Sequence, residues 1–575
     1  MGTSDRSSLL AASRAFQTEG RFADARELLA GRLGDYADDS EILMEYATAL
    51  SGTIHLSGDF STLPEAIRHA RRAVELAPYD LPKRRGLFLM LEAGRHNTEA
   101  LEQIREIGRQ DPSDPTVYAA EGALLVGLLR FDEALRVLEE GAARFPLNRV
   151  IAARFASSSN YMPGLDPARR KAIHERFGQI MRALSPQRPV KYANVPDPQR
   201  VIRLGLVSGD FRTHSCAHFL WQLLKNLDRT RVHTTCIYTM PLKDAITEKF
   251  RALADDFVTL PDPSQSVLVG AIRSARVDVL IDLSGHTSGS SLAALHSRPA
   301  PVQGTYLGYA NTTGVDAIQF RFIDSLTDPT GAEAHATERL VRLDPCFLCF
   351  EPPADAPDPS PCPSDARGYV TFGSFNSPIK LNDPLIGLWA RVLNAVPDSR
   401  LVLKGEALGD AEFAGIVRGK FASAGVDALR LDLLGKIASS TGHLSAYGQI
   451  DIALDSFPYH GTTTTCEAVW MGVPVVSRVG VVHASRVGLS LLSAVGLGDL
   501  AVDSDDEFVA KAAALARDSA RRRELRTGLR SMMRSSPLCD GPGFAARFES
   551  AIRSEWTKWC NAQVAGSNSA VRSAF

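Results

Sequence analysis

The chain has 575 residues, 45% apolar and 23% charged, with 64 Lys and Arg against 66 Asp and Glu. That composition excludes a mainly disordered chain and leaves room for about three or four domains, while a net charge of −2 supplies no basic excess for nucleic acid or a membrane surface. No apolar run reaches the roughly 18 residues of a membrane span, the N-terminus lacks a signal-peptide pattern, and eight scattered Cys read as reduced thiols of a cytoplasmic protein.

The first third is repetitive. Pro78, Pro112 and Pro146 are spaced by 34 residues, as are Ala66, Ala100 and Ala134, and Asp80, Asp114 and Asn148. Each period holds an amphipathic helix closed by Pro and a polar turn residue, as in AIRHARRAVELAPYD and ALRVLEEGAARFPLN. The pattern resembles the tetratricopeptide repeat, with Gly122, Phe131, Ala134 and Pro146 on its small, aromatic, small and Pro columns. An earlier copy, GRFADARELLAGRL, carries Phe22 and Ala25, and an insertion around GTIHLSGDFS breaks the period. Stacked helix pairs of this kind build a solenoid whose concave face suits an extended peptide. The predicted helical domain is 1–190.

After Pro189 short β-branched runs alternate with helices. Strands are predicted at VIRLGLVS, HTTCIYTM, VDVLIDLS, VQGTYLGY and FRFID, with helices such as AHFLWQLLKNL and SVLVGAIRSA between them. The alternation predicts a parallel α/β lobe over 200–350. Cys346 and Cys349 form a CxxC with no second pair at zinc-ribbon spacing, so with Cys362 they read as buried small side chains rather than metal ligands. A Pro-rich stretch at 351–365 reads as a linker. A second α/β series, YVTFGSF, SRLVLKG, LRLDLLG, IDIALDS and VPVVSRV, predicts another Rossmann-like lobe over 366–560. The small, polar residues 561–575 read as a flexible tail.

Open α/β sheets bind ligands beyond the carboxyl ends of their strands, so the residues there are the candidates. YVTFGSF runs into Asn376, Ser377 and Lys380, and Lys is scarce here, 12 residues against 52 Arg. A point cation at that position suits a diphosphate. IDIALDS ends in Tyr459, His460, Gly461 and Thr462–Thr465, and a helix opening on hydroxyls and free N–H groups is an anion cradle. Glu467 lies one turn in, placed either for ribose hydroxyls or as a first-turn acid on the helix dipole. After VPVVS come His483 and Arg486. In the first lobe His214 follows the first strand, where an imidazole serves as a base near neutral pH. Asp503-Ser504-Asp505 precedes a helix and reads as a cap rather than a metal-binding DxD.

Together RLGLVSGDFRTHSCAH, SRPAPVQGTYLGYANTTG, FGSFNSPIKLNDP, LDSFPYHGTTTTCEAVWMGVPVV and HASRVGLSLL resemble the O-GlcNAc transferase family over nearly the whole chain. The resemblance implies tetratricopeptide repeats followed by a two-lobed GT-B fold. It also implies metal-independent, inverting transfer of a sugar, foremost N-acetylglucosamine, from a UDP-sugar to protein hydroxyls, with the repeats holding the acceptor. In its terms Lys380 neutralises the UDP diphosphate, Thr463 and Thr464 bind phosphate, and Glu467 stands for the usual ribose-binding Asp. His214 is the active-site histidine, and His443 belongs to the uracil and ribose pocket. Ser377 replaces a frequent Gln, Ala310-Asn311 replaces an aromatic-Pro-Gly turn, and Arg273 replaces a second histidine of some members. A related branch that glucosylates Asn and a non-catalytic peptide scaffold remain as alternatives.

Overall fold

The computed structural model describes residues 3–57, 59–187 and 189–572. The chain divides into two compact units, Met1–Phe145 and Pro146–Phe575.

The first unit is helical. Its helices are α1 (Thr3–Thr18), α2 (Phe22–Ala30), α3 (Ser40–Ser57), α4 (Leu63–Leu76), α5 (Leu81–Ala93), α6 (Asn97–Gln110), α7 (Thr116–Gly127) and α8 (Phe131–Arg144). The 34-residue columns have distinct physical roles. Ala66, Ala100 and Ala134 are fully buried where helices meet. A Cβ on Gly122 would stand 2.6 Å from Leu138, so that column is small because the helices approach too closely for more. Asp80 caps α5 by accepting from the Lys83 N–H at 3.0 Å, and Asp114 accepts from the Thr116 N–H at 2.9 Å. The insertion that breaks the period is partly absorbed by α3, which has 18 residues against 14 in α4, α6 and α8.

The second unit begins with two more helices, α9 (Arg149–Ser159) and α10 (Pro167–Leu184). The expected boundary at 190 is therefore displaced, for a physical reason. Ala152, Phe177, Ile180 and Met181 share one apolar core with Val207, Ile237, Leu280 and Val315 of the first lobe. Gly178 permits this docking, since a Cβ there would lie 1.9 Å from the Gly314 carbonyl oxygen.

The first lobe is a seven-stranded parallel sheet of β1 (Ile202–Ser208), β2 (Val232–Tyr238), β3 (Asp256–Thr259), β4 (Val279–Asp282), β5 (Val302–Thr305), β6 (Phe320–Ile323) and β7 (Arg339–Arg342), in the order 3-2-1-4-5-6-7. The second lobe holds β8 (Thr371–Ser374), β9 (Arg400–Lys404), β10 (Leu431–Leu434), β11 (Ile452–Leu454), β12 (Val475–Arg478) and β13 (Ala501–Val502), in the order 10-9-8-11-12-13. Every expected strand is present, and the fold class is the one expected: a helical repeat region followed by two Rossmann-like lobes. Each sheet reverses its strand order once, between β1 and β4 and between β8 and β11. These are the points where α/β sheets open a ligand crevice.

The 351–365 stretch passes between the lobes as a strapped connection. The Phe350 N–H donates to the Leu538 carbonyl at 2.7 Å, and the Ser364 Oγ donates to Asp451 at 2.7 Å. The C-terminal helix is Gly541–Arg572. It runs through 561–572 of the expected tail, and 573–575 lie outside the described residues. It also packs on the first lobe rather than completing the second: Phe548 lies 4.9 Å from Phe322, and the Trp556 Nε1–H donates to the Asp197 carbonyl at 2.9 Å.

Candidate active site

The β8 and β11 ends bring the expected anion-binding residues together. Ser374 closes β8, and the chain turns through Asn376 and Ser377 so that Lys380 points back over the strand ends. The Lys380 Nζ donates to the His460 carbonyl at 2.6 Å and approaches Asn376 Oδ1 at 3.3 Å, and it stands 4.4 Å over the Tyr459 ring. No carboxylate forms an ion pair with it among the described residues. Burial lowers its pKa to about 8, with Asp455 pulling the other way. An ammonium kept from water without a counter-ion is a receptor for an anion.

That anion would meet the helix Thr463–Trp470, whose first-turn N–H groups have no intrahelical acceptor. Thr464 Oγ1 donates to Asn376 Oδ1 at 3.0 Å, joining the two strand ends. A side chain on Gly461 would lie within 3.0 Å of Thr464, Thr465 and Asn376, so only Gly lets the backbone close this cradle. Thr462 precedes the helix without capping it, and Thr463 is buried in its first turn. Asp455, not singled out in the sequence, holds the loop by accepting from the Gly461 N–H and the Ser477 hydroxyl, both at 2.7 Å.

Glu467 sits one turn deeper and is fixed by its neighbours. It accepts from His443 Nε2 at 2.9 Å and from the Tyr447 hydroxyl at 3.0 Å, and Lys404 Nζ donates to His443 Nδ1 at 2.5 Å. Lys404 closes β9. The criterion that singles out Lys380, a scarce lysine ending an apolar strand, also fits Lys404 and would have found it.

Three expected contacts are spent elsewhere. The His460 ring is fully buried; its Nδ1 accepts from the Gly488 N–H at 3.0 Å and its Nε2 donates to the Arg478 carbonyl at 2.8 Å. Only the His460 carbonyl reaches Lys380. His483 pairs with Asp328 of the first lobe, and Arg486 Nε donates to the Leu326 carbonyl at 2.8 Å. These two side chains clasp the lobes. Ser504 caps the helix Asp505–Arg517 and Asp505 pairs with Arg478 at 2.9 Å, in keeping with the capping role expected for that triplet.

His214 follows β1, with its side chain 37% exposed and its Nδ1 3.6 Å from Asp210. Burial lowers its pKa and raises that of Asp210. The Tyr459 ring carries the Lys380 ammonium at 4.4 Å and lies tilted against Tyr161, with ring centroids 5.2 Å apart. At the β4 end, a cavity of about 570 Å³ is lined by Phe177, Gln265, His286 and Ser291. The His286 Nε2 donates to the Thr313 carbonyl at 2.7 Å, leaving Nδ1 without a partner.

The second lobe thus carries Lys380 and a helix N-terminus at its switch point, and the first lobe carries a histidine beyond β1. Residues 153–351 and 361–547 match the profile of Glycosyl transferase family 41, with the break inside the Pro-rich connection. The chain belongs to glycosyl transferase family 41. This family 41 chain is 37% identical over 426 residues to a probable UDP-N-acetylglucosamine–peptide N-acetylglucosaminyltransferase, SPINDLY, of Arabidopsis thaliana, covering 72% of the chain and 45% of the relative. A second Arabidopsis relative, SEC, carries the same enzyme description and is 27% identical, over 63% of the chain and 38% of the relative. The chain thus spans less than half the length of these curated relatives. Among solved structures, a mutant O-GlcNAc transferase of Thermobaculum terrenum superposes with a TM-score of 0.82 at 31% identity, over 90% of this chain and 98% of that one.

Proposed function

We propose that this family 41 chain transfers N-acetylglucosamine from UDP-N-acetylglucosamine to Ser or Thr hydroxyls of proteins, with inversion at the anomeric carbon. The observation that carries the reading is Lys380, a half-buried ammonium without a carboxylate partner among the described residues, set beside a helix N-terminus at the strand-order switch of the second sheet. Lys380 and the first-turn N–H groups of Thr463–Thr465 take up the negative charge that grows on the diphosphate as the sugar leaves. Glu467, held by His443 and Tyr447, accepts from the ribose hydroxyls. His214 receives or orients the acceptor hydroxyl, which attacks from the face opposite UDP. With that charge supplied by the chain, transfer needs no divalent metal. The helical repeats hold the acceptor as an extended peptide. Eight free cysteines suit a reducing compartment, and among the described residues no helix is long and apolar enough to cross a membrane.

The first test is calorimetric titration with UDP in EDTA. Saturable binding that Lys380→Ala removes is expected. No binding up to about 1 mM, a limit near −4 kcal/mol, overturns the reading in favour of a peptide scaffold. Mass analysis of acceptor proteins incubated with UDP-N-acetylglucosamine and UDP-glucose in competition then tests donor and residue. Hexose on Asn would overturn the Ser/Thr assignment. Binding of a different nucleoside diphosphate in place of UDP would keep the cradle and overturn the uridine.

A further inference from the structure

The β1 end sets two further donor side chains, Asp210 and Cys216, around the His214 of the proposed transfer. Asp210, His214 and Cys216 present a carboxylate oxygen, an imidazole nitrogen and a thiol sulfur within 4.8 Å of one another. Asp210 is 9% exposed, and among the described residues its carboxylate accepts no hydrogen bond; its ion-pair partners are His214 Nδ1 at 3.6 Å and an Arg212 nitrogen at 3.8 Å. The Cys216 N–H donates to His214 Nδ1 across 3.3 Å, so this nitrogen is held beside both the Asp210 carboxylate and the start of the Cys216 segment. A carboxylate, an imidazole nitrogen and a sulfur thus converge on one loop.

We infer that Asp210, His214 and Cys216 form a binding site for one thiophilic divalent cation of the zinc class. Ligand atoms around tetrahedral Zn²⁺ lie about 3.5 Å apart, close to the Asp210–His214 separation; a cation would take the place of the Cys216 N–H on Nδ1, and the three donors would close on it from within 4.8 Å. A carboxylate, an imidazole and a thiolate select zinc or cobalt over Mg²⁺ or Ca²⁺, which prefer oxygen donors alone. A free thiol carries its proton at neutral pH. Binding therefore exchanges the S–H bond for an S–metal bond and releases one proton to the buffer. Three protein ligands leave a fourth position for water. The consequence for activity rests on the role proposed for His214: a cation on Nδ1 immobilises the ring and removes it from acceptor chemistry, so the site is inhibitory.

The test is titration of the reduced full-length protein with Co²⁺, read by the thiolate-to-cobalt charge-transfer band. The band is expected to saturate at one equivalent, to be displaced by Zn²⁺, and to vanish in Cys216→Ser. Asp210→Asn is expected to weaken binding by about tenfold or more. Circular dichroism verifies the fold of each variant. A missing band overturns the proposal, as does a band that survives in Cys216→Ser and so belongs to another cysteine. In transfer assays, Zn²⁺ at one equivalent is expected to silence the parent chain and to spare Cys216→Ser, each measured against its own metal-free rate. A chain that gives the Cys216-dependent band but never transfers sugar overturns the proposed function and leaves the cation site standing.

Discussion

Lys380 has a pKa near 8 in the empty protein because burial disfavours its charge. The ammonium is the form that attracts a diphosphate. UDP affinity is therefore expected to hold below about pH 8 and to fall by about tenfold per unit above it, measured by calorimetry across pH 7–10. The same shift has the opposite sign for folding. Between about 8 and 10.5 the unfolded lysine binds the proton that the folded one has lost, so Lys380 costs stability below pH 8 and the cost fades as pH rises through that window. Lys380→Ala is thus expected to lose most turnover while its melting temperature at pH 7 stays equal or rises. A large drop in melting temperature would make Lys380 a structural residue. At this scale a lysine at the end of an apolar strand was legible from its neighbours in sequence. The roles of His460, His483 and Arg486 were not, because each is set by a partner between 18 and 160 residues away.

At the level of elements, patterned segments were legible, the outer strand β10 among them, and short outer strands without a pattern were not. β3 (DFVT) and β7 (RLVR) are four-residue outer strands of their sheet, part-exposed and interrupted by charge. They exist because a neighbouring strand offers a free edge, which local pattern does not encode. The capping columns Asp80 and Asp114 were legible because a cap acts on the residues just after it. α10 shows the reverse case. It reads as one more repeat helix, yet Gly178 and Phe177 seat it on the first lobe. Gly178→Ala would drive a methyl group into the Gly314 carbonyl and is expected to cost about 3 kcal/mol, at the upper end of the overpacking range. Chemical denaturation of the full chain measures it. A change below about 0.5 kcal/mol would mean that α10 docks by another route.

The two lobes of the second unit are held by long-range connections. His483 and Arg486 reach the loop 324–328, the Ser490 hydroxyl donates to Asp324 at 2.5 Å, and the C-terminal helix returns to the first lobe. Asp328 is buried, which alone would raise its pKa, and the facing His483 and Arg321 reverse that and keep it ionised. His483→Ala leaves this carboxylate buried with Arg321 alone at 4.0 Å, and is expected to cost about 3–5 kcal/mol. A matching fall in melting temperature, with UDP affinity changed far less than in Lys380→Ala, would separate clasp from cradle. Deleting residues after Asp540 removes Phe544, Phe548 and Trp556 from the first lobe's core and is expected to yield insoluble protein, read by the soluble fraction on expression. The sequence by itself determined the 34-residue period, the parallel lobes and the placement of Lys380 and Thr462–Thr465 at strand ends, since periodicity, propensity and strand-end position are local properties. Tertiary structure alone decided that α9, α10 and the C-terminal helix pack on the first lobe and which protein groups the side chains of His460, His483 and Arg486 bond to, because those outcomes depend on which surfaces meet after the chain has folded back on itself.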